Sequence, residues 1–516
     1  MTKEQSDISS LKIVLPATII FFIVSAIGIY HHELWLDEAQ HFLIARDSDS
    51  LTSLYFNMQY DGHVRLWNYL LFFITHYISS SPSAMQAFHL GIITLTVFIF
   101  LRFAPFDFIT KLLIISGYFF LYEYNVISRN YALGILFLFA CCRLLKNEKK
   151  NIWQIGVLLI LMSNTHLFFA FAACGIFLYM FVRKSARKRF DKYFFIHSFL
   201  FLIAIASVAI QIKIPDDRTY FHPEKMQWYS WDNISIAFYG LAKGFLPLPL
   251  SINGDFWNHF IFNRFPSVVQ FFLALWLMIY PFLLLRKCRA AFLFFACTIF
   301  LMFFFLLLSE SWAARYFGMF FIFFIAAAWL AGNEGSKVFS IEKLQHVTIR
   351  TRLFYAFFYL LLACHIFSAA YCYITDVSRP FTEAKNVVDF IKSNQGDKGT
   401  IVIDGYGAGP TVSAYLGKPV FYLNIDQMGS YCYWKKSWFD FSMGPLSPQL
   451  QKSNYANKQD SFLLVSIRDI KENQIQCDSS VFQFHELKNY KNGIIKPDYY
   501  IYEVRREKIA LIAQKK

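Results

Sequence analysis

The sequence predicts a polytopic α-helical membrane protein that ends in an α/β domain outside the bilayer. Three observations predict it. Only 16% of the 516 residues are charged and 56% are hydrophobic, whereas a soluble globular chain has roughly 25% charged residues. Apolar runs of about twenty residues, the length that crosses a bilayer as a helix, recur from Leu11 onward. After residue 375 the pattern changes to short β-rich runs.

Spans are expected near residues 11–30, 86–104, 108–122, 130–145, 152–164, 167–183, 194–212, 267–285, 290–308, 317–331 and 353–374. The first is read as retained, because His31-His32-Glu33-Leu34-Trp35 follows it where a cleaved signal would carry small residues. The net charge of +14 is not a nucleic-acid footprint. Lys and Arg cluster at 143–150, 183–189, 286–289 and at Arg350 with Arg352, always between apolar runs. With about eleven spans and a cytoplasmic N-terminus, every cluster falls on the cytoplasmic side, as the positive-inside rule requires. The opposite side then holds Asp37, Glu38, Arg129, His166, the loop 213–266, Arg315 and the C-terminal region.

Val64 to Ile78 is apolar and aromatic, but a crossing there would turn all the downstream basic clusters outward. It is therefore expected to be an interfacial helix along the outer leaflet. Trp35, Trp67 and Tyr69 suit that depth, and His31, His32 and His41 are expected to be solvated or interfacial. In the loop 213–266, Pro247 and Pro249 break any long helix.

Two domains follow: a membrane module over 1–374 and an extracytoplasmic α/β domain over 375–516. Its expected strands are 400–404, 420–423, 461–467 and 499–504, with helices at 382–393 and 411–416. Gly405-Tyr406-Gly407-Ala408-Gly409 lies between a strand and a helix, but lacks the spacing of a dinucleotide fingerprint and is read as a structural turn. The nine cysteines show no CxxC pair, so a structural zinc site is not expected. Cys432 and Cys477 lie in the extracytoplasmic part, and the sequence leaves open whether they pair.

The predicted outer face collects polar groups at span ends. Asp37 and Glu38 follow the first span, and Asp61, His63 and Arg65 precede the interfacial helix. Glu123 and Arg129 flank one turn and His166 occupies the next. Arg218 and His222 lie in the large loop, and Glu310 and Arg315-Tyr316 precede the tenth span. Any single arginine at a span end commonly snorkels. Carboxylates, imidazoles and guanidiniums on one face are what transfer to or from a phosphorylated lipid requires: arginines for phosphate oxygens, a carboxylate for an acceptor proton.

Four motifs, Trp35-Leu36-Asp37-Glu38-Ala39, Asp61-Gly62-His63, Ser128-Arg129-Asn130-Tyr131-Ala132-Leu133 and Ala314-Arg315-Tyr316-Phe317, together resemble the bacterial C-superfamily (GT-C) membrane glycosyltransferases. The branch is that of the protein O-mannosyltransferase-like and aminoarabinose transferase-like enzymes, and the resemblance spans roughly residues 10–335. It implies an active site under the first outer loop, in the bacterial inner membrane, and a sugar donor on a polyprenyl phosphate. It implies transfer of a hexosyl or pentosyl unit, with inversion, to a lipid-linked glycan, a lipopolysaccharide or a protein.

Carried onto this chain, Asp37 is the general base and Glu38 its catalytic neighbour. Arg65, Arg129, Arg218, Arg315 and Tyr316 are donor-phosphate contacts. His63, Glu123, Tyr131, His166 and His222 line the substrate site. No cofactor is expected to be required. A divalent cation stays open, with Asp37, Glu38 and His63 as potential ligands. The chain departs from the pattern at His63-Val64-Arg65-Leu66-Trp67, where relatives often carry His-Pro-Pro-Leu-Tyr, and at 126–128, where they carry an acid before the Arg. Two rival functions are a lipid-linked sugar flippase, which predicts mid-membrane charges and internal repeats, and a glycan polymerase or ligase resting on Arg218 and His222.

Overall fold

A computed structural model describes residues 9–186, 190–213, 215–219, 230–250, 255–309, 313–336, 349–395, 399–439, 446–470 and 481–506. His222, Glu310 and Cys477 lie outside the described residues.

The membrane module runs α1 (Leu11–His31), α2 (Leu36–Arg46), α3 (Leu51–Asn57), α4 (Leu66–Tyr77), α5 (Pro82–Phe103), α6 (Phe108–Ile115), α7 (Tyr131–Leu144) and α8 (Ile152–Ser163). It continues with α9 (Leu167–Ala186), α10 (Lys192–Gln211), α11 (Trp231–Phe245), α12 (Ser267–Leu285), α13 (Arg289–Ser309), α14 (Ala314–Asn333) and α15 (Ile349–Ser378). Among the described residues, eight helices are long and apolar enough to cross a bilayer: α1, α5, α9, α10 and α12 to α15. The other three expected spans are shorter or broken. The segment 108–122 divides into α6 and a π-helical turn at Phe119–Glu123. α7 has 14 residues and α8 has 12.

α14 is the hub. It is apolar all round, and a helix with no polar face belongs in an interior; every residue from Phe317 to Ala331 is buried. Its N-terminus delivers Arg315 to the end of the bundle that holds Asp37. α4 has 12 residues, too few to cross. It buries Trp67, Asn68 and Leu71 and leaves Phe73 and Tyr77 exposed, as an interfacial helix does. α11, unanticipated within the loop 213–266, ends at Phe245, just before Pro247 and Pro249.

Ion pairs close both ends of the bundle. At one end Lys184 Nζ lies 3.1 Å from both Glu148 and Asp191, and Arg183 Nε lies 2.6 Å from Glu334. At the other end Asp37, Arg129 and Arg315 meet.

The C-terminal domain begins with α16 (Ala384–Gln395) and builds one six-stranded sheet in the order β3-β2-β1-β4-β6-β5. The strands are β1 (Ile401–Asp404), β2 (Val420–Tyr422), β3 (Gln427–Gly429), β4 (Ser461–Ser466), β5 (Phe482–Tyr490) and β6 (Tyr499–Arg506). β1 pairs in parallel with β2 and β4, and the remaining pairs are antiparallel. α17 (Gly409–Leu416) connects β1 to β2, and the glycine turn before it holds Gly405 at φ +99°, a left-handed conformation that a side chain disfavours. A carboxylate at the end of β1, Asp404, is closed by the Arg468 fork at 2.6 and 2.9 Å.

This domain docks on the segment between α1 and α4. Gln40 of α2 forms a paired contact with the Cys432 backbone: its Nε2 donates to the carbonyl at 2.6 Å, and its Oε1 accepts from the amide at 3.0 Å. The Cys432 thiol donates to the Tyr406 carbonyl at 3.3 Å. Tyr415 Oη accepts from the Leu34 amide at 2.7 Å, and Tyr433 donates to Asn57 at 3.0 Å. The strand-like stretch at 217–219 joins the same seam through the Lys436 amide to the Asp217 carbonyl, and the Thr219 amide to the Trp434 carbonyl, both 2.8 Å.

Glu33 is buried in this seam beside Thr382, and burial together with the Glu383 charge pushes its carboxyl up to about 8. The folded chain therefore keeps a proton that the unfolded chain releases above about 4.5. Stability is expected to be full below that pH and to decline as pH rises through 8, by up to about 1.4 kcal/mol per pH unit. Thermal unfolding in detergent across pH 5 to 8 should show this decline, and Glu33→Gln should flatten it.

Candidate active site

α2 starts at Trp35, an extended N-cap, and carries Asp37 and Glu38 in its first turn, where the helix dipole favours carboxylates. The two adjacent side chains meet opposite environments. Glu38 has no exposed surface. Its Oε2 accepts from the Trp35 amide at 3.2 Å and lies 3.0 Å from His32 Nε2; its Oε1 accepts from the Ser128 amide at 2.6 Å. His32 Nδ1 is 2.7 Å from Asp376 Oδ2, which also accepts from Tyr122 at 3.0 Å. Burial opposes a charge on His32, but Asp376 and Glu38 outweigh it and push the imidazole up to about 10. His32 is thus an imidazolium clamped between two carboxylates rather than a solvated residue. The clamp joins the end of α1, the start of α2, the segment before α7 and the end of α15.

Asp37 keeps 26% of its side chain exposed. Its Oδ2 lies 2.7 Å from Arg129 Nη1 and 3.2 Å from Arg315 Nη2. Burial disfavours its charge, but the two guanidiniums outweigh that and hold the carboxyl below its usual range. Glu38 fixes the backbone of Ser128, and so aims the next residue, Arg129, at Asp37. Arg315 sits over the rings of Tyr316 (4.9 Å), Trp35 (5.0 Å) and Trp257 (5.8 Å). Trp257 donates to Glu123 Oε2 at 3.1 Å, and Tyr118 donates to the same oxygen at 2.8 Å.

The wall opposite is built of imidazoles and phenols. His166 Nδ1 accepts from the Phe168 amide at 3.2 Å, which leaves the proton of the neutral ring on Nε2, facing Tyr131 Oη at 3.5 Å. Burial, with the nearby charges of His63, Arg129 and Arg315, holds His166 well below its ordinary value. The His166 ring lies 5.6 Å from His63 and 6.2 Å from Tyr316. Gly62 sits at φ +76° with the Arg218 guanidinium in the space that a side chain there would need. Its absence of a Cβ thus serves both the turn and the close approach.

The fold therefore gathers Asp37, Arg129, Arg315, Tyr316, Tyr131, His166, His63 and Arg218. Arg65 departs from expectation. It is 1% exposed, its Nη1 donates to the Gln211 carbonyl at 2.9 Å, and its guanidinium stacks on Tyr55 at 4.0 Å. It closes the end of α10 and is sequestered from a phosphate. Glu38 and Glu123 lie behind the pocket, engaged by the scaffold. His41 is 2% exposed rather than interfacial, and Trp35 lies in the pocket under Arg315. Asp376 and Trp257 carried no signal in the sequence, since their side-chain hydrogen-bond partners are more than a hundred residues away.

No family model matches the chain, and no curated protein matches it. It is similar to the crystal structure of ArnT from Cupriavidus metallidurans bound to undecaprenyl phosphate, at 9% sequence identity and a TM-score of 0.46, over 96% of this chain and 98% of that one. At that score the likeness carries no conclusion about chemistry, which rests on the site itself.

Removing the Glu38 carboxylate takes one of its two carboxylate partners from the buried His32 imidazolium and leaves two amides unpaired. Breaking a buried ion pair in this way costs about 3–5 kcal/mol. Glu38→Ala is expected to lower the unfolding temperature sharply in a detergent melt, and Glu38→Gln to lower it less, because the amide oxygen still accepts.

Proposed function

We propose that the chain is a membrane glycosyltransferase that moves one sugar, hexosyl or pentosyl, from a polyprenyl phosphate to a hydroxyl on an extracytoplasmic acceptor. A lipid-linked glycan, a lipopolysaccharide or a protein is the acceptor class, and the bacterial inner membrane is the location, with the pocket and the C-terminal domain on the outer face. One observation carries this reading: a partly exposed carboxylate, Asp37, is held between Arg129 and Arg315 where an apolar bundle ends.

The acceptor hydroxyl attacks the anomeric carbon while the bond from that carbon to the phosphate oxygen breaks. The proton of the hydroxyl goes to Asp37. The polyprenyl phosphate leaves as an anion, stabilised by the two guanidiniums. A single in-line displacement inverts the anomeric centre and needs one carboxylate. A glycosidase needs two, placed across the bond; Glu38 points into the scaffold and does not supply the second.

The ion pairing also times the base. With Arg129 and Arg315 on Asp37, the carboxylate is a poor proton acceptor. A phosphate arriving at the guanidiniums competes with Asp37 for them and frees it to take a proton. Trp35, Trp257 and Tyr316 hold Arg315 so that it moves little in the exchange.

Asp37→Asn is expected to lower transfer by about 10²–10⁴-fold, with the melting temperature and polyprenyl-phosphate binding retained. A fully active Asp37→Asn chain would overturn the mechanism.

A further inference from the structure

Beside Asp37 lies a constellation that the transfer step leaves unused. His41 stands one turn further along α2, and Asp61 and His63 flank Gly62 in the turn before α4. One ligand-type atom from each of the three lies within 4.8 Å of the other two. His41 Nε2 is 3.5 Å from Asp61 Oδ2, and His63 Nδ1 is 2.8 Å from the same oxygen. Donor atoms around a tetrahedral zinc ion stand about 3.4 Å apart, given its bond lengths.

The hydrogen bonds of Asn68 supply an independent observation. Its Nδ2 donates to the His41 carbonyl at 3.2 Å, so its Oδ1 must face His41 Nδ1, 2.9 Å away, and take the N–H there. In the neutral ring, Nε2 is then a lone pair on a residue only 2% exposed, aimed at a carboxylate oxygen. Two acceptors that face each other in this way need a positive charge between them. An imidazole whose far N–H is held by an oxygen is also the usual arrangement of a metal-binding histidine.

We propose that His41, Asp61 and His63 form a binding site for one divalent ion of the zinc class. Two imidazoles with one carboxylate suit zinc, whereas magnesium and calcium favour all-oxygen ligands. Three protein ligands leave a position open on the ion. The nearby Arg129 charge is balanced by Asp37 at 2.7 Å, which leaves the Asp61 carboxylate to the ion. The site stands independently of the transfer reaction: a chain that binds zinc and transfers nothing would refute the proposed function alone.

The test uses the untagged full-length chain in detergent, stripped with a chelator and then titrated with zinc chloride, magnesium chloride or cobalt chloride. Wild type is expected to retain one zinc per chain through gel filtration, to show visible cobalt bands and to ignore magnesium. His63→Gln alters a partly exposed ligand and Asn68→Ala an outer support. Each is expected to weaken zinc binding at least about tenfold while eluting as wild type does. Asp37→Asn is expected to retain zinc. Wild-type zinc content no higher than that of His63→Gln, or equal retention of magnesium, would overturn the site.

Discussion

The pocket end of the bundle depends on one carboxylate with no exposed surface. Glu38 accepts from two backbone amides and faces the His32 imidazolium, which is held in turn by Asp376. A charge buried this deeply is tolerable only when every lone pair is used. That demand makes the arrangement specific: the end of α1, the start of α2, the approach to α7 and the end of α15 can meet in one way. Arg129 inherits its direction from that meeting, since its neighbour Ser128 is one of the anchored amides.

Asp37 and Glu38 show how adjacent identical chemistries are split into different tasks. Successive residues on a helix point about 100° apart. Glu38 therefore turns into the bundle when Asp37 turns toward the opening. The inner carboxylate builds the scaffold, and Asp37 is left with two guanidinium partners and access to solvent. A pocket with a paired base and two guanidiniums is electrostatically prepared for an anion, because the ligand replaces an existing partner instead of entering an uncompensated site.

α2 also carries the seam to the C-terminal domain. Gln40 of α2 closes a two-bond contact with Cys432, and Leu34, just before α2, is held by Tyr415. The helix bearing Asp37 is thus pinned to the bundle by Glu38 and to the C-terminal domain by Gln40.

Composition and periodicity alone determined much of this protein. The length of apolar runs and the short β-rich runs after residue 375 are local properties of the chain, so the helical bundle and strands β1, β2, β4 and β6 were legible. The edge strands were not: β5 (Phe482–Tyr490) is largely exposed and polar and has no apolar run to announce it. That Asp37, Arg129, His166 and Arg315 share one end of the bundle followed from counting spans. Tertiary structure alone decided their division of labour. Arg65 is spent on Gln211 and Tyr55, and Glu38 on His32 and Ser128. His41 is turned toward Asp61 by Asn68. Each assignment depends on a partner distant in sequence, and a charge's role is set by which partner desolvates it, which sequence spacing does not contain.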